Sequence, residues 1–275
     1  MGYPLATLLI NSTFVYNFAN PAMGREFVGL QNYGELLRDS RFLATAANTA
    51  VFTVIAVSIE LVLGLVLALL LKRILIGRRF IIGLLVLPTA AMPVAVGLIW
   101  RYMYNNEYGI VSYGLKVLGL LGPEGLCKQA LLSQGATAMA CLIATDIWEW
   151  TPFLALVLLG GLLSLDKDPF EAAQVEGASP WQVFWHITLP LLRPVMLIGL
   201  LIRLSDAAKV FDIVYVLTGG GPGNATETAH VFAYRLNFRA FNMGYGSAQV
   251  VLLSLVVLAV SVILFRKLSD GGDGA

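Results

Sequence analysis

Asp146 and Glu149 lie inside one apolar stretch, and Arg203, Asp206, Lys209 and Asp212 inside another. An ionised group at the centre of a bilayer costs roughly 2.5–3.5 kcal/mol on insertion scales, so such residues face a bundle interior or a wet cavity. Their spacing is helical. Asp146, Glu149, Trp150 and Phe153 recur at i, i+3, i+4 and i+7, and Arg203, Asp206, Ala207 and Val210 repeat that pattern. Carboxylates accept hydrogen bonds from hydroxyls, and aromatic rings cover the apolar face of a sugar. The two faces therefore predict a path for a polyol or sugar. Pro152 brings no N–H and is expected to open backbone carbonyls beside it. A structural alternative stands beside this reading. Arg203 with Asp206, or Lys209 with Asp206 or Asp212, would pin helices, and Trp148 and Trp150 would be packing. For Lys209 and Asp212 the pairing alternative is the stronger, because they fall on another face and nearer the outer end.

The elements that position these residues follow from composition. Of 275 residues, 58% are hydrophobic and 13% charged, against about 25% charged in soluble domains. Net charge is +1, which argues against a nucleic-acid partner. A transmembrane helix needs about 20 apolar residues. Five such stretches lie near 46–71, 80–100, 136–160, 192–217 and 246–265. A sixth, near 3–18, is short and contains Asn11, Ser12 and Asn17. Without a charged leader region or a cleavage site it does not read as a signal peptide. It is expected to be a truncated first helix, with Met1 a late start or an artificial boundary. The fold class is all-α, a polytopic membrane protein of about six spans forming one transmembrane domain over 1–275. Cys127 and Cys141 suit neither a disulfide framework nor a metal site and read as small apolar residues.

Lys72, Arg73, Arg78 and Arg79 place four basic residues within eight positions. Such density in a short loop marks the cytoplasmic side. With six spans, this loop, the 161–191 loop and the tail with Arg266 and Lys267 share that side, and both termini are cytoplasmic.

The 161–191 loop is the other chemical feature. Asp168, Pro169 and Glu171 read as a helix start with Asp168 as cap, and Gly177 as a helix end. Ser179, Pro180 and Gln182 repeat the start, and Pro190 and Pro194 are expected to limit the second piece. Each piece is shorter than the roughly 12–15 residues an isolated helix needs in water. Phe170, Ala173 and Ala178 on one side, and Trp181, Phe184 and Trp185 on the other, offer apolar contact to whatever holds them. Residues on such short helices suit either a groove in another protein or the chain's own helices and lipid headgroups.

Glu171-Ala172-Ala173, three residues, Gly177, nine residues, then Ile187-Thr188-Leu189-Pro190 resembles the EAA signature of permease subunits of bacterial binding-protein-dependent ABC importers. The resemblance extends over almost the whole chain. Phe27 to Tyr33, Asn48-Thr49, Gly64, Leu87-Pro88, Ile99-Trp100-Arg101, Trp148 to Phe153, Phe211-Asp212 and Leu217 to Pro222 are similar to the maltose-type carbohydrate-uptake branch. It implies one half of a sugar importer in the bacterial inner membrane, working by alternating access. Its partners are a second homologous permease, an ATPase dimer on the cytoplasmic side, a substrate-binding protein on the outer side, and membrane lipid. It implies that Glu171, Ala172, Ala173, Gly177, Ala178, Ile187, Leu189 and Pro190 dock the ATPase, and that Asp146, Glu149, Trp150, Phe153, Arg203, Asp206, Ala207 and Val210 line the substrate path. Two departures are the curtailed first helix and Glu176, where Asp is commoner.

No Gly-x-x-x-x-Gly-Lys-Ser/Thr loop occurs in the sequence. ATP and Mg are thus expected in the partner subunit, with no cofactor on this chain and no catalytic residue. Gly219-Gly220-Gly221 lacks the lysine; with Pro222 it reads as a turn facing outward. The rival reading is an ion-coupled secondary transporter with Asp146, Glu149 and Asp206 as relay. It lacks the internal repeat common in that class and has no use for the two-helix loop.

Overall fold

The computed structural model describes residues 2–20, 24–74, 76–122 and 129–270, with side chains to Arg266. Cys127, Leu75 of the basic loop and the side chain of Lys267 lie outside the described residues. In chain order the elements are α1 (Gly2–Ser12), β1 (Phe14–Val15), β2 (Glu26–Phe27), α2 (Gln31–Leu36), α3 (Ser40–Arg73), α4 (Arg78–Ala90), α5 (Pro93–Met103) and α6 (Ile110–Val117). They continue with α7 (Gly135–Ser164), α8 (Asp168–Val175), α9 (Pro180–Val183), α10 (Leu189–Ala207), α11 (Asp212–Leu217), α12 (Ala229–Tyr234) and α13 (Met243–Asp270). This is an all-α membrane protein. Among the described residues, four helical segments are long and apolar enough to cross a bilayer: Ser40–Arg73, Gly135–Ser164, Pro180–Ala207 and Met243–Arg266. The broken pair α4 and α5 qualifies as a fifth.

The departures from the expected spans have specific causes. Helix α1 stops at Ser12, whose hydroxyl donates to Leu9 O at 2.7 Å, and the chain turns into the antiparallel pair β1 and β2, with Phe14 opposite Phe27. Asn32 donates to the carbonyls of Ser12 and Phe14, and Tyr33 to the Ser12 hydroxyl. These bonds hold the turn, so Asn11 and Ser12 are the end of a short helix of 11 residues, and Asn17 lies beyond it, bridged to Asn242. The expected 80–100 span breaks at Ala91 and Met92, which take extended conformations before Pro93, as residues ahead of proline prefer. The expected 192–217 span breaks after Ala207. Lys209 N–H and Val210 N–H bond back only three residues, and Thr228 donates to the freed Val210 carbonyl.

The chain divides into two compact units. The first comprises Met1–Thr53, Met92–Thr145 and Asp206–Val260; the second comprises Val54–Ala91, Asp146–Ser205 and Ser261–Ala275. In the first, Leu36, Phe42, Phe232 and Ala248 form a buried cluster, and α5 meets α11 where a Cβ on Gly97 would lie 3.2 Å from Val216 Cβ. Tyr104 seals the end of α5, its hydroxyl 3.1 Å from both Cys141 O and Thr145 Oγ1. Cys141 is buried in α7. In the second, Ala68, Leu71, Leu158, Leu159, Leu162 and Leu192 form the core. Helices approach closely over small residues there: a Cβ on Gly64 would stand 3.0 Å from Leu154 Cβ. In lipid, where apolar burial between helices supplies little drive, close packing of this kind holds helices together.

Candidate functional site

Glu60 on α3, Asp146 on α7 and Arg203 on α10 converge in the second unit. Arg203 Nε donates to Glu60 Oε2 at 2.7 Å, and Nη2 donates to Glu60 Oε1 at 3.0 Å and to Asp146 Oδ2 at 2.8 Å. The guanidinium lies 4.7 Å from the centroid of the Trp150 ring. All three charged residues are buried, Arg203 to 1% exposure and Glu60 to 0%. The fork geometry is the planar two-point pairing that arginine makes with carboxylates. Removing one partner of such a buried set costs roughly 3–5 kcal/mol, because the other charges stay buried without compensation. Glu149 stands one turn after Asp146 and is also buried, and Trp150 meets Phe153 edge-on at 6.1 Å. Helix α7 runs unbroken through Pro152.

The structure therefore brings together Asp146, Glu149, Trp150, Phe153 and Arg203 and adds Glu60, which the sequence reading missed. The signal was present: Glu60 is a carboxylate inside the apolar 46–71 run. Asp206, Ala207 and Val210 belong to the first unit, and the expected i+7 step from Arg203 to Val210 is corrected, since the helix ends at Ala207. Asp206 is exposed and Ala207 buried.

The 161–191 segment folds as two helical pieces joined at Gly177. Helix α8 ends in a Schellman motif: Ala178 N–H bonds to Ala173 O, Gly177 N–H to Gln174 O, and Gly177 takes φ +77°. Glu171 and Ala172 are exposed, while Ala173 is buried. Phe170 lies under the Lys72 ammonium, 5.2 Å from ring centroid to nitrogen. The expected capping by Asp168 is corrected: Lys167 occupies the cap position, Asp168 and Pro169 follow it, and no side chain caps. The second start is a complete capping box, with Ser179 N–H bonded to Gln182 Oε1 at 2.8 Å and Gln182 N–H to Ser179 Oγ at 3.4 Å. The second piece does not end at Pro190. Phe184–Thr188 form a π turn, which leads into α10 through Pro190 and Pro194. Such a bulge can adjust a helix to proline, which offers no N–H to the ladder. Ile187 and Leu189 are half-buried and Pro190 exposed. Trp181, Phe184 and Trp185 pack on one another with centroids 5.4–6.1 Å apart, and both tryptophans stay exposed.

A helical membrane subunit that combines a buried charge cluster with an exposed, capped helical loop is the architecture of a transport permease. The chain belongs to the family described as binding-protein-dependent transport system inner membrane component, whose model matches residues 60–271. It is 36% identical over 242 residues to the trehalose/maltose transport system permease protein MalF of Thermococcus litoralis, covering 88% of this chain and 80% of that one. It is 34% identical to the trehalose transport system permease protein SugA of Mycobacterium tuberculosis, covering 98% and 85%. Its fold matches a chain of a bacterial ABC transporter that imports the acidic polysaccharide alginate, with TM-score 0.80, 21% identity and coverage of 98% and 89%. The protein is thus a membrane-spanning importer subunit, and ATP hydrolysis belongs to another chain.

Proposed function

We propose that this subunit passes a sugar or sugar derivative from an extracytoplasmic binding protein to the cytoplasm by alternating access, paired with a second permease and driven by an ATPase dimer. The observation that carries the coupling half of this reading is the exposed face of α8. Glu171 and Ala172 point outward from a helix whose end is locked at Gly177, ready for a cleft on the ATPase. Ala178, Ile187, Leu189 and Pro190 complete the docking segment. The density of Lys72 and Arg73 in the last turn of α3, with Arg78 and Arg79, supports a cytoplasmic position for that end of α3. The sugar reading rests on the named relatives and on the aromatic and acidic faces.

Within the second unit, Glu60, Arg203 and Asp146 serve first to pin α3, α7 and α10, since each is engaged in the buried triad. Sugar contact within this unit is assigned to Glu149, Trp150 and Phe153; Asp206, Ala207 and Val210, in the first unit, are proposed to line the substrate path there.

The importer, reconstituted with its partner subunits and binding protein, tests the coupling role. Glu171→Lys and Gly177→Asp are expected to abolish sugar-stimulated ATP hydrolysis while the chain remains membrane-inserted. Undiminished stimulation in either variant would sink the assignment.

A further inference from the structure

The first unit contains a second arginine cluster outside the sugar path described above. Glu227 is 0% exposed. It accepts from Arg41 Nε and Nη2, both at 2.9 Å, and from Arg235 Nη1. Arg235 Nη2 also donates to Gly219 O in the glycine-rich turn. Arg239 donates to the Tyr215 hydroxyl at 3.1 Å. Above these groups lies an open cavity of about 710 Å³ lined by Arg41, Arg235, Arg239, Tyr215 and Tyr234 together with Gly219 and Ala240. Tyr215 and Tyr234 belong to an aromatic group with Phe211 and Phe238, centroids 5.2–5.5 Å apart.

Among the described residues, three guanidinium groups line this cavity and no carboxylate does. Glu227 lies beneath them. Asp39, beside Arg41, is occupied by Arg41 N–H at 2.8 Å and by the Tyr245 hydroxyl at 3.0 Å. Glu227 thus fixes two of the guanidinium forks in place before any ligand arrives, which lowers the ordering cost of binding. Arg41 Nη1 donates no hydrogen bond among the described residues, and Arg239, set against the hydroxyls of Tyr215 and Tyr234, turns its guanidinium to the same cavity. These are planar donors suited to a carboxylate, sulfonate or phosphate. The volume falls within the roughly 300–1,000 Å³ of small-molecule sites, and the tyrosine rings match the apolar face of a pyranose.

We propose that this cavity binds the anionic group of an acidic saccharide, with Arg41, Arg235 and Arg239 holding the acid and Tyr215 and Tyr234 the ring. The proposal narrows the substrate class and rests on the sugar-import reading above. An acidic side chain from a protein partner offers the same charge, but it makes no use of the two tyrosine rings.

The test uses the complete importer in lipid nanodiscs and two probes of equal size, trigalacturonate and its neutral methyl ester. Equilibrium binding is measured without the binding protein. Trigalacturonate is expected to bind about tenfold more tightly than the ester. Arg239→Gln should remove most of that preference without moving the melting temperature, and Arg239→Lys should restore part of it. Equal affinity for acid and ester, or an unchanged preference in Arg239→Gln, overturns the proposal. So does an Arg239→Gln variant that loses affinity for the sugar-free binding protein while keeping the acid preference, since the cavity would then hold a protein carboxylate. A failure of every saccharide, acidic or neutral, to stimulate ATP hydrolysis with the binding protein present would instead overturn the import reading.

Discussion

Glu60 in the second unit and Glu227 in the first are both carboxylates at 0% exposure, each held by arginine through two-point bonds, and they differ in what becomes of the arginine. Arg203 is as buried as its partners, whereas the side chains of Arg41 and Arg235 are 42% and 32% exposed. The first arrangement is closed: three charges satisfy one another between helices. The second faces outward, with the buried acid acting as a foot for guanidinium groups that line a cavity. The same pairing chemistry ties helices together in one unit and prepares a binding surface in the other.

Breaking the pairs one at a time separates these roles. The largest effect is expected from Arg203→Met, which leaves Glu60 and Asp146 buried without a cation. Purified protein should lose about 3–5 kcal/mol, read as a fall in detergent melting temperature and in yield. The triple variant Glu60→Met, Asp146→Leu, Arg203→Met should recover most of that loss, because apolar residues of similar volume carry no desolvation cost. A triple variant as unstable as the single one would mean that the triad is more than a pin.

Glu227→Gln is expected to cost less, about 1–3 kcal/mol, since Arg41 and Arg235 can turn toward water. The same melting experiment checks it. A loss larger than that of Arg203→Met would remove the contrast in arginine burial as the explanation.

Packing offers a third probe of the second unit. In Gly64→Val the new side chain meets Leu154 Cβ at 3.0 Å and the Ala155 nitrogen at 3.1 Å, so overpacking of about 1–3 kcal/mol is expected. Gly160→Ala, with nothing within 4 Å of the added Cβ, serves as its control and should leave the melting temperature in place.

The smallest effect is expected from Ser179→Ala. It removes the capping box and should cost about 1 kcal/mol, seen as faster amide exchange confined to Pro180–Val183. Exchange that spreads through α10 would show that the loop and the membrane helix open as one element.

Reading the sequence alone recovered what depends on near neighbours. The capping box at Ser179 and Gln182, the helix end at Gly177 and the membrane-spanning runs rest on bonds or periods only a few residues long. It failed where a distant contact overrode the local signal. Asn32 and Tyr33 close the turn that cuts the first helix short. Thr228 accommodates the break after Ala207. Asp168 looked like a cap because Pro169 and Glu171 followed it, but the helix begins one residue earlier, with Lys167 O accepting from both Phe170 N–H and Glu171 N–H.

The sequence by itself determined that the chain is an all-α membrane protein, where its loop of two short helices lies, and that charged residues inside the apolar runs need partners. Only the tertiary structure decided who those partners are. Arg203 finds Glu60 across 143 positions and Asp146 across 57, and Arg41 finds Glu227 across 186. A helical period links residues three or four apart, whereas an ion pair at such separations forms only when packing carries the two charges within about 4 Å of each other in a medium too dry to screen them.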